Sequence, residues 1–235
     1  MSTQPLYGTG NRLLAALPAE DLAGLQPHLE QVTLSPGETL LQPDVLIQHV
    51  YFLQHGLVSL VHRMEEGDVV QTGLVGSEGM VGALAPLGAS AFSGEAMVQI
   101  GGPALRVRAA TLRIEVALRP ALRDLLLRYV QALFAQVTQS VACNSRHVLH
   151  ARLARWLLMA HDFVDLNELP ITHEFLATML GVRRAGVTQG LVSLKAAGLV
   201  DTARRNIVIL DRPGLEHTSC ECYAIVAAEY RRLLG

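Results

Sequence analysis

The residues whose types and spacing could do chemistry gather near the C-terminus. After Pro170-Ile171-Thr172 comes His173-Glu174-Phe175-Leu176-Ala177-Thr178-Met179-Leu180, then Gly181-Val182, then Arg183-Arg184 at the head of a second run reaching Ala197. Thr172 is placed to cap the orphan amides of a first helix, Glu174 suits its N-terminal dipole, and Gly181 supplies a left-handed residue to end it. In the second helix Val187, Leu191 and Leu194 recur at i, i+4 and i+7, which predicts a buried stripe. Arg184, Ala185, Thr188 and Gln189 then fall on the opposite side. That side offers guanidinium, hydroxyl and amide groups, the set that hydrogen-bonds phosphates and base edges.

The second helix also breaks local rules. Arginines in a first turn oppose the helix dipole by about 0.3–1 kcal/mol each, and interior glycines such as Gly186 and Gly190 cost about 1 kcal/mol each relative to alanine. A helix whose N-terminus meets phosphates accounts for both, because arginines and free amides share the anionic target and glycines permit close approach. The plainer alternative is a solvated Arg-Arg pair on an ordinary helical hairpin. Further on, Gly198-Leu199-Val200 and Ile207-Val208-Ile209-Leu210 read as strands about the turn Ala203-Arg204-Arg205-Asn206. The arginines at that tip would reach the nucleic-acid backbone and add affinity without sequence information.

Other reactive residues point nowhere so definite. The three cysteines are Cys143, Cys220 and Cys222. Their odd number suits reduced thiols; Cys220-Glu221-Cys222 is too tight for a two-residue zinc knuckle and has no second pair, so no metal site is expected. His49, His55 and His62 raise a second reading, a cupin-like metal-dependent enzyme. They form no His-x-His pair, and Gly56 puts them on different strands, so no catalytic residue is expected. A third reading is a dimeric sensor that binds a protein partner instead of DNA.

The elements that must position these residues fall into three regions of the 235-residue chain. Half of the residues are apolar and 17% are charged, enough for packed cores, while the net charge of −2 announces no polyanionic partner. Acidic residues are in excess before Arg146 and the remainder is only mildly basic, so DNA affinity must come from placement. Residues 1–117 open with a short helical entry over Arg12–Leu29. They continue as short strands separated by glycine turns (Thr33–Leu41, Val50–Leu53, Leu57–Val61, Val69–Val75, Ala96–Ile100, Ala104–Val107), which predicts a β-roll of the jelly-roll kind. Residues 118–146 carry a helical period. The stripe Leu126, Val130, Leu133 and Val137 is expected to pair with a second copy, and Leu118, Leu122, Leu125 and Tyr129 to lie on the β module. Asn144 would fix the register. Residues 147–235 hold a helix over Ala151–His161 and the helix-turn-helix; the whole is an α+β chain. No apolar stretch is a clean span of about 20 residues, and residues 1–11 lack a secretory pattern, so the expectation is a cytoplasmic protein without membrane contact.

A β-roll, a long helix and a winged helix, in that order, resemble the CRP/FNR regulators. The stretch from Ile171 through Gly181 to Arg184 is similar to the helix-turn-helix signature of that family, and the hairpin from Gly198 to Asp211 to its wing. The resemblance implies a transcription regulator binding double-stranded DNA as a homodimer, contacting RNA polymerase, and answering to a small-molecule effector of unknown identity or to none. The expected DNA contacts are Thr172, His173, Arg183, Arg184, Thr188, Gln189, Arg204 and Arg205. Arg184 falls where the family places a base-reading arginine. Ala185 and Gln189 stand where glutamate and arginine are common, which would favour a thymine methyl and an adenine edge. Effector-pocket candidates are Gly82, Ala83, Leu84, Glu95 and Ala96. Gly82-Ala83-Leu84 lacks the ribose-binding carboxylate of cyclic-nucleotide-binding members, and Gly94-Glu95-Ala96 puts an acid where they hold phosphate with arginine. Cyclic AMP is therefore not expected, nor is an iron–sulfur cluster, since no cysteine precedes Cys143.

Overall fold

The computed structural model describes residues 10–164, 167–203 and 206–235. Two short helices come first, α1 (Arg12–Ala15) and α2 (Ala19–Leu25). Asn11 starts α1: its side-chain oxygen accepts from the Leu14 amide, and its side-chain nitrogen donates to the carbonyls of Leu53 and Gly79. Eight strands follow: β1 (Glu30–Leu34), β2 (Thr39–Leu41), β3 (His49–Leu53), β4 (Leu57–Arg63), β5 (Val69–Val75), β6 (Met80–Val81), β7 (Glu95–Ile100) and β8 (Gly102–Arg108). They form two antiparallel sheets, ordered β1-β8-β3-β6 and β2-β7-β4-β5. Phe52 lies opposite Leu105 in the first, and Leu60 opposite Ala96 in the second.

The apolar run Leu57-Val58-Ser59-Leu60-Val61 is buried along its whole length, because β4 has protein on both faces. Val58 and Leu60 enter the core of the β-roll, with Phe52, Met80 and Leu105. Leu57 and Val61 turn the other way and join a second core, built mainly from the C-terminal helices. Strands covered on both sides need such continuous apolar sequence.

The helix expected over residues 118–146 is one element except at its start, where Leu118 ends a separate helix. α3 (Ala109–Leu118) ends at Arg119, and α4 (Pro120–Arg146) starts with proline at its first position, where the missing amide costs nothing. With 27 residues α4 is about 40 Å long. Its inward face carries Leu122, Leu125, Leu126, Tyr129, Ala132, Gln136 and Cys143. Gln136 is a buried clamp. Its oxygen accepts from the Leu74 amide at 2.6 Å, while its nitrogen donates to the Leu74 carbonyl and to the Tyr230 hydroxyl.

The remainder is α5 (Leu149–Val164), β9 (Glu168–Leu169), α6 (His173–Leu180), α7 (Arg184–Ala196), β10 (Val200–Ala203), β11 (Asn206–Ile209), α8 (Arg212–Thr218) and α9 (Cys222–Leu234). The strands make a small antiparallel sheet ordered β10-β11-β9. This unit docks on the outer face of the second sheet, where Trp156 donates from its indole nitrogen to Gln71 at 2.9 Å. α9 has no counterpart in the sequence reading; its Tyr230 and Leu234 pack against the core that α4 shares with the β-roll. Among the described residues, no helix is long and apolar enough to cross a membrane.

Candidate nucleic-acid interface

Local sequence builds the α6–α7 corner. The Thr172 hydroxyl accepts from the Phe175 amide at 3.2 Å and caps α6. Gly181 takes a left-handed conformation at φ 62°, which lets the Val182 amide reach back to the Ala177 carbonyl and stop the helix. Arg183 is the extended residue before α7, and no side chain caps the first amides of that helix. Unclaimed amides at a helix start form an anion-binding end.

Val187, Leu191 and Leu194 are buried under α7, as their spacing predicts, while Arg183, Arg184, Ala185 and Gln189 are exposed. The outward face is not packed against the protein. Arg184 has Glu174 at 3.7 Å, but the two side chains are 68% and 71% exposed, so water screens the pair and leaves the guanidinium available. Arg183 has no ion pair among the described residues. Thr188 is half-buried, with its hydroxyl 3.2 Å from His173 Nδ1, so these two fix each other beside the exposed face. Arg204 and Arg205, expected at the tip of the wing, lie outside the described residues.

The glycines of α7 correct the sequence reading. A Cβ on Gly186 would stand 3.0 Å from Leu149 Cδ2, and one on Gly190 would stand 3.0 Å from Leu153 Cδ2. Both face inward, onto α5. They let the two helices approach; they do not bring α7 closer to a polyanion.

The expected pairing stripe on α4 also needs correction. Leu126 is 1% exposed and belongs to the core of its own subunit, and Leu133 lies against Gly73 of β5. Val130 and Val137 are half-buried, and the exposed apolar side chains beside them are Leu127, Phe134 and Val141, with Val148 beyond. The core takes Leu122, Leu125, Leu126 and Tyr129, while Val130 and Val137 lie at the edge of an outward face that Leu127, Phe134 and Val141 complete.

A cavity of about 260 Å³ lies between the second sheet and α4. Gly82, Ala83 and Leu84 line it, as the resemblance implied, together with Leu41, Ile47, Leu60, Met80, Phe92, Val130 and Phe134; His62 and Thr72 supply its polar atoms. Glu95 and Ala96 do not line it. Glu95 pairs with the Arg63 guanidinium at 3.1 Å, and Ala96 is fully buried in the core of the roll. A Cβ on Gly94 would fall 2.6 Å from the Val61 carbonyl oxygen, so a larger residue could enter there only after a backbone shift. The histidines of the cupin-like reading do not converge: His49 rests beside Tyr51, and His62 contacts Ser93 and Phe92.

One constellation escaped sequence reasoning. Cys143 and His147, at the end of α4, meet Cys220 and Cys222, at the start of α9, with one ligand atom from each residue inside 4.8 Å of the others. It is the one such His/Cys/Asp/Glu group among the described residues. Cys143 Sγ stands 3.5 Å from Cys220 Sγ, and Cys222 Sγ 3.5 Å from His147 Nδ1. The hydrogen bond with Cys220 holds the Cys143 thiol below its usual pKa, and the Arg155 charge adds to that against the cost of burial. The signal was Cys143-x-x-x-His147: a thiol and an imidazole one helical turn apart, on the face that also carries Gln136 and Gln139.

A capped helix-turn-helix with an outward basic face, a wing, and a β-roll holding a cavity define a DNA-binding regulator with a sensor domain. Residues 151–218 match the model of the Crp-like helix-turn-helix domain, and residues 31–113 that of the cyclic nucleotide-binding domain. The chain belongs to the CRP/FNR family of transcription regulators. No curated protein matches the sequence. Among solved structures it is similar to FixK2 from Bradyrhizobium japonicum, with a TM-score of 0.72 at 15% identity over 82% of this chain and 98% of that one. It is also similar to a CRP-family transcriptional regulator from Thermus thermophilus, TTHB099, with a TM-score of 0.66 at 22% identity over 80% and 96% of the two chains. A third is CLP, the c-di-GMP responsive global regulator of Xanthomonas campestris, with a TM-score of 0.67 at 14% identity over 82% and 99%. At these identities the likeness is one of fold.

Proposed function

We propose that the protein acts as a homodimer that lays α7 of each protomer in the major groove of one half of a pseudo-palindromic operator, with half-site centres about 34–36 Å apart. The observation that carries this reading is the outward face of α7: Arg183, Arg184, Ala185 and Gln189 exposed beside uncapped amides. Arg184 reads a base edge, Arg183 and the amides hold phosphates, Ala185 meets a thymine methyl, and Gln189 meets an adenine edge. Thr172 and His173 at the start of α6, Thr188 on α7, and Arg204 and Arg205 on the wing make the flanking backbone contacts.

The second copy docks on the outward face of α4. Leu127, Val130, Phe134, Val137, Val141 and Asn144 alternate three and four apart, which is the seam of a paired helix with asparagine at one position to set register. Phe134 lies both on this seam and at the edge of the cavity, so a partner helix would help to close the pocket. The effector in this reading is an apolar small molecule. The lining has no carboxylate or guanidinium among the described residues, and a cyclic nucleotide would leave its phosphate unpaired there. Occupancy shifts the packing of α4 and with it the pair of DNA-binding heads. The protein works in the cytoplasm, where the bound dimer meets RNA polymerase.

Selection of DNA fragments from a random pool, followed by titration of the winning sequence, tests the reading. Arg184→Ala should weaken specific binding by about 1–3 kcal/mol and relax preference at one base pair in each half-site. Unchanged affinity and unchanged preference would remove α7 from the groove.

A further inference from the structure

We infer that Cys143, His147, Cys220 and Cys222 form a closed, four-coordinate site for a single thiophilic ion, Zn²⁺ in the first instance. Three thiolates and an imidazole are a donor set that soft and borderline ions prefer to oxygen ligands. The spacing suits one ion. Four donors at Zn–S of about 2.3 Å and Zn–N of about 2.0–2.1 Å in a tetrahedron stand roughly 3.5–3.8 Å from one another. Here two of the pairs are at 3.5 Å and all lie within 4.8 Å, so binding needs only a small contraction. An iron–sulfur cluster distributes its thiolates over several irons and needs them farther apart.

The surroundings are built for such an ion. His147 points Nδ1 at the cysteines, while its Nε2 lies 3.2 Å from the Glu221 carboxylate. Donation from Nε2–H to Glu221 leaves the Nδ1 lone pair for the metal, the carboxylate–histidine–metal relay that orients many such ligands. Gln139 donates from its side-chain amide to Cys222 Sγ at 3.1 Å, a hydrogen bond that steadies a metal-bound thiolate. Three thiolates and a divalent ion carry a net charge of −1. Arg152 and Arg155 are near enough for their charges to act on Cys143, and each has a buried Nε hydrogen without an acceptor. On loading, the thiol protons pass to solvent and no electron is transferred, so the site needs no oxidant.

The location gives the site a consequence. Cys143 and His147 close the last turn of α4, and Cys220 and Cys222 flank the junction of α8 and α9. An ion here would fasten the end of the proposed pairing helix to the DNA-binding unit, on the far side of the short 147–148 connection into α5. Occupancy would thus set the rigidity of the joint through which α4 positions the heads.

The test uses full-length protein purified under reducing, anaerobic conditions, stripped with a chelator and titrated with Co²⁺. One ion per chain should bind with the intense visible absorption of tetrahedral cobalt thiolate, and Zn²⁺ should bleach it. Cys143→Ser and Cys220→Ser should each abolish the band. Glu221→Ala, at an exposed side chain that the fold does not need, should keep the stoichiometry and weaken affinity by about 10–100-fold. That variant and the parent protein decide the matter if a cysteine variant fails to fold. A chain with no cobalt band and three freely titrating thiols would overturn the inference. So would a Cys143–Cys220 disulfide in the anaerobic protein, or equal cobalt affinity in the Glu221→Ala variant.

Discussion

At the start of α7 and along it, Arg183, Arg184 and Gln189 project into solvent, met among the described residues by a loose contact from Glu174, whereas the open cavity beside α4 is lined by side chains that mostly lack a polar atom. The two surfaces sit in one subunit, yet they follow opposite rules. The α7 face keeps the common chemistry of polyanion binding, with cations and free amides left unsatisfied by the protein itself. Among the described residues, the cavity lining holds neither a carboxylate nor a guanidinium. If α4 joins the two as proposed, the output surface and the input cavity need share no residue, and either can change without the other.

The largest effect should come from cutting that join on the sensor side. Phe134 is 67% exposed on α4 and borders the cavity. In the proposed dimer both copies are covered, and burying what remains exposed of two such side chains is worth about 2–4 kcal/mol. Phe134→Asp should convert the protein to a monomer in analytical ultracentrifugation, with operator binding lost and the fold retained. A dimer of unchanged stability would move the pairing surface elsewhere and leave the cavity uncoupled from the partner.

Sequence reasoning reached the two regions unequally, for physical reasons. The cap at Thr172, the turn at Gly181 and the buried Val187, Leu191 and Leu194 are decided by residues a few positions apart, and their pattern carries the answer. Most strands of the β-roll were plain from short apolar runs between glycine turns, although β1 begins earlier than read and the two-residue β6 gave no signal. Gly186 and Gly190 were noticed and misassigned, since their reason lies in Leu149 and Leu153 on another helix. Leu126 and Leu127 are neighbours on a helix with two apolar stripes, and periodicity alone does not say which of them the core will take. Cys143 and Cys220 are 77 residues apart and meet only because α9 returns to α4, a packing that no local signal announces.

Between the two regions stands Glu78, in the turn before β6, where Ser77 bonds the Phe163 carbonyl at the end of α5. Burial pushes the Glu78 carboxyl up to about 7, although the Gly76 amide and Arg12 favour its charge. Its folded value lies above its unfolded one, so its stabilising contribution is complete below about pH 4.5 and is lost as pH rises through 7. The loss is on the order of 3 kcal/mol. Glu78→Gln, which is neutral at every pH, should match the parent protein near pH 4 and unfold at higher denaturant above pH 8. Equal denaturant midpoints at both pH values would show that the carboxyl ionises without cost, and that the contact between sensor and DNA-binding unit is better solvated than its burial implies.

The smallest effect should fall on the output side, at a residue that never meets DNA. A β-branched side chain at Gly190 must displace Leu153, and overpacking of this kind costs about 1–3 kcal/mol. Gly190→Val should therefore lower the thermal midpoint and tilt α7 on α5, reducing operator affinity while Arg184 and Gln189 stay in place. Pairing it with Leu153→Ala, which makes room for the new methyl groups, should restore much of the operator affinity. A glycine needed for approach to phosphate would behave differently: the single variant would bind all DNA more weakly, and the second substitution would bring nothing back. The pair of variants thus separates a helix seated by its own domain from a helix seated by the groove.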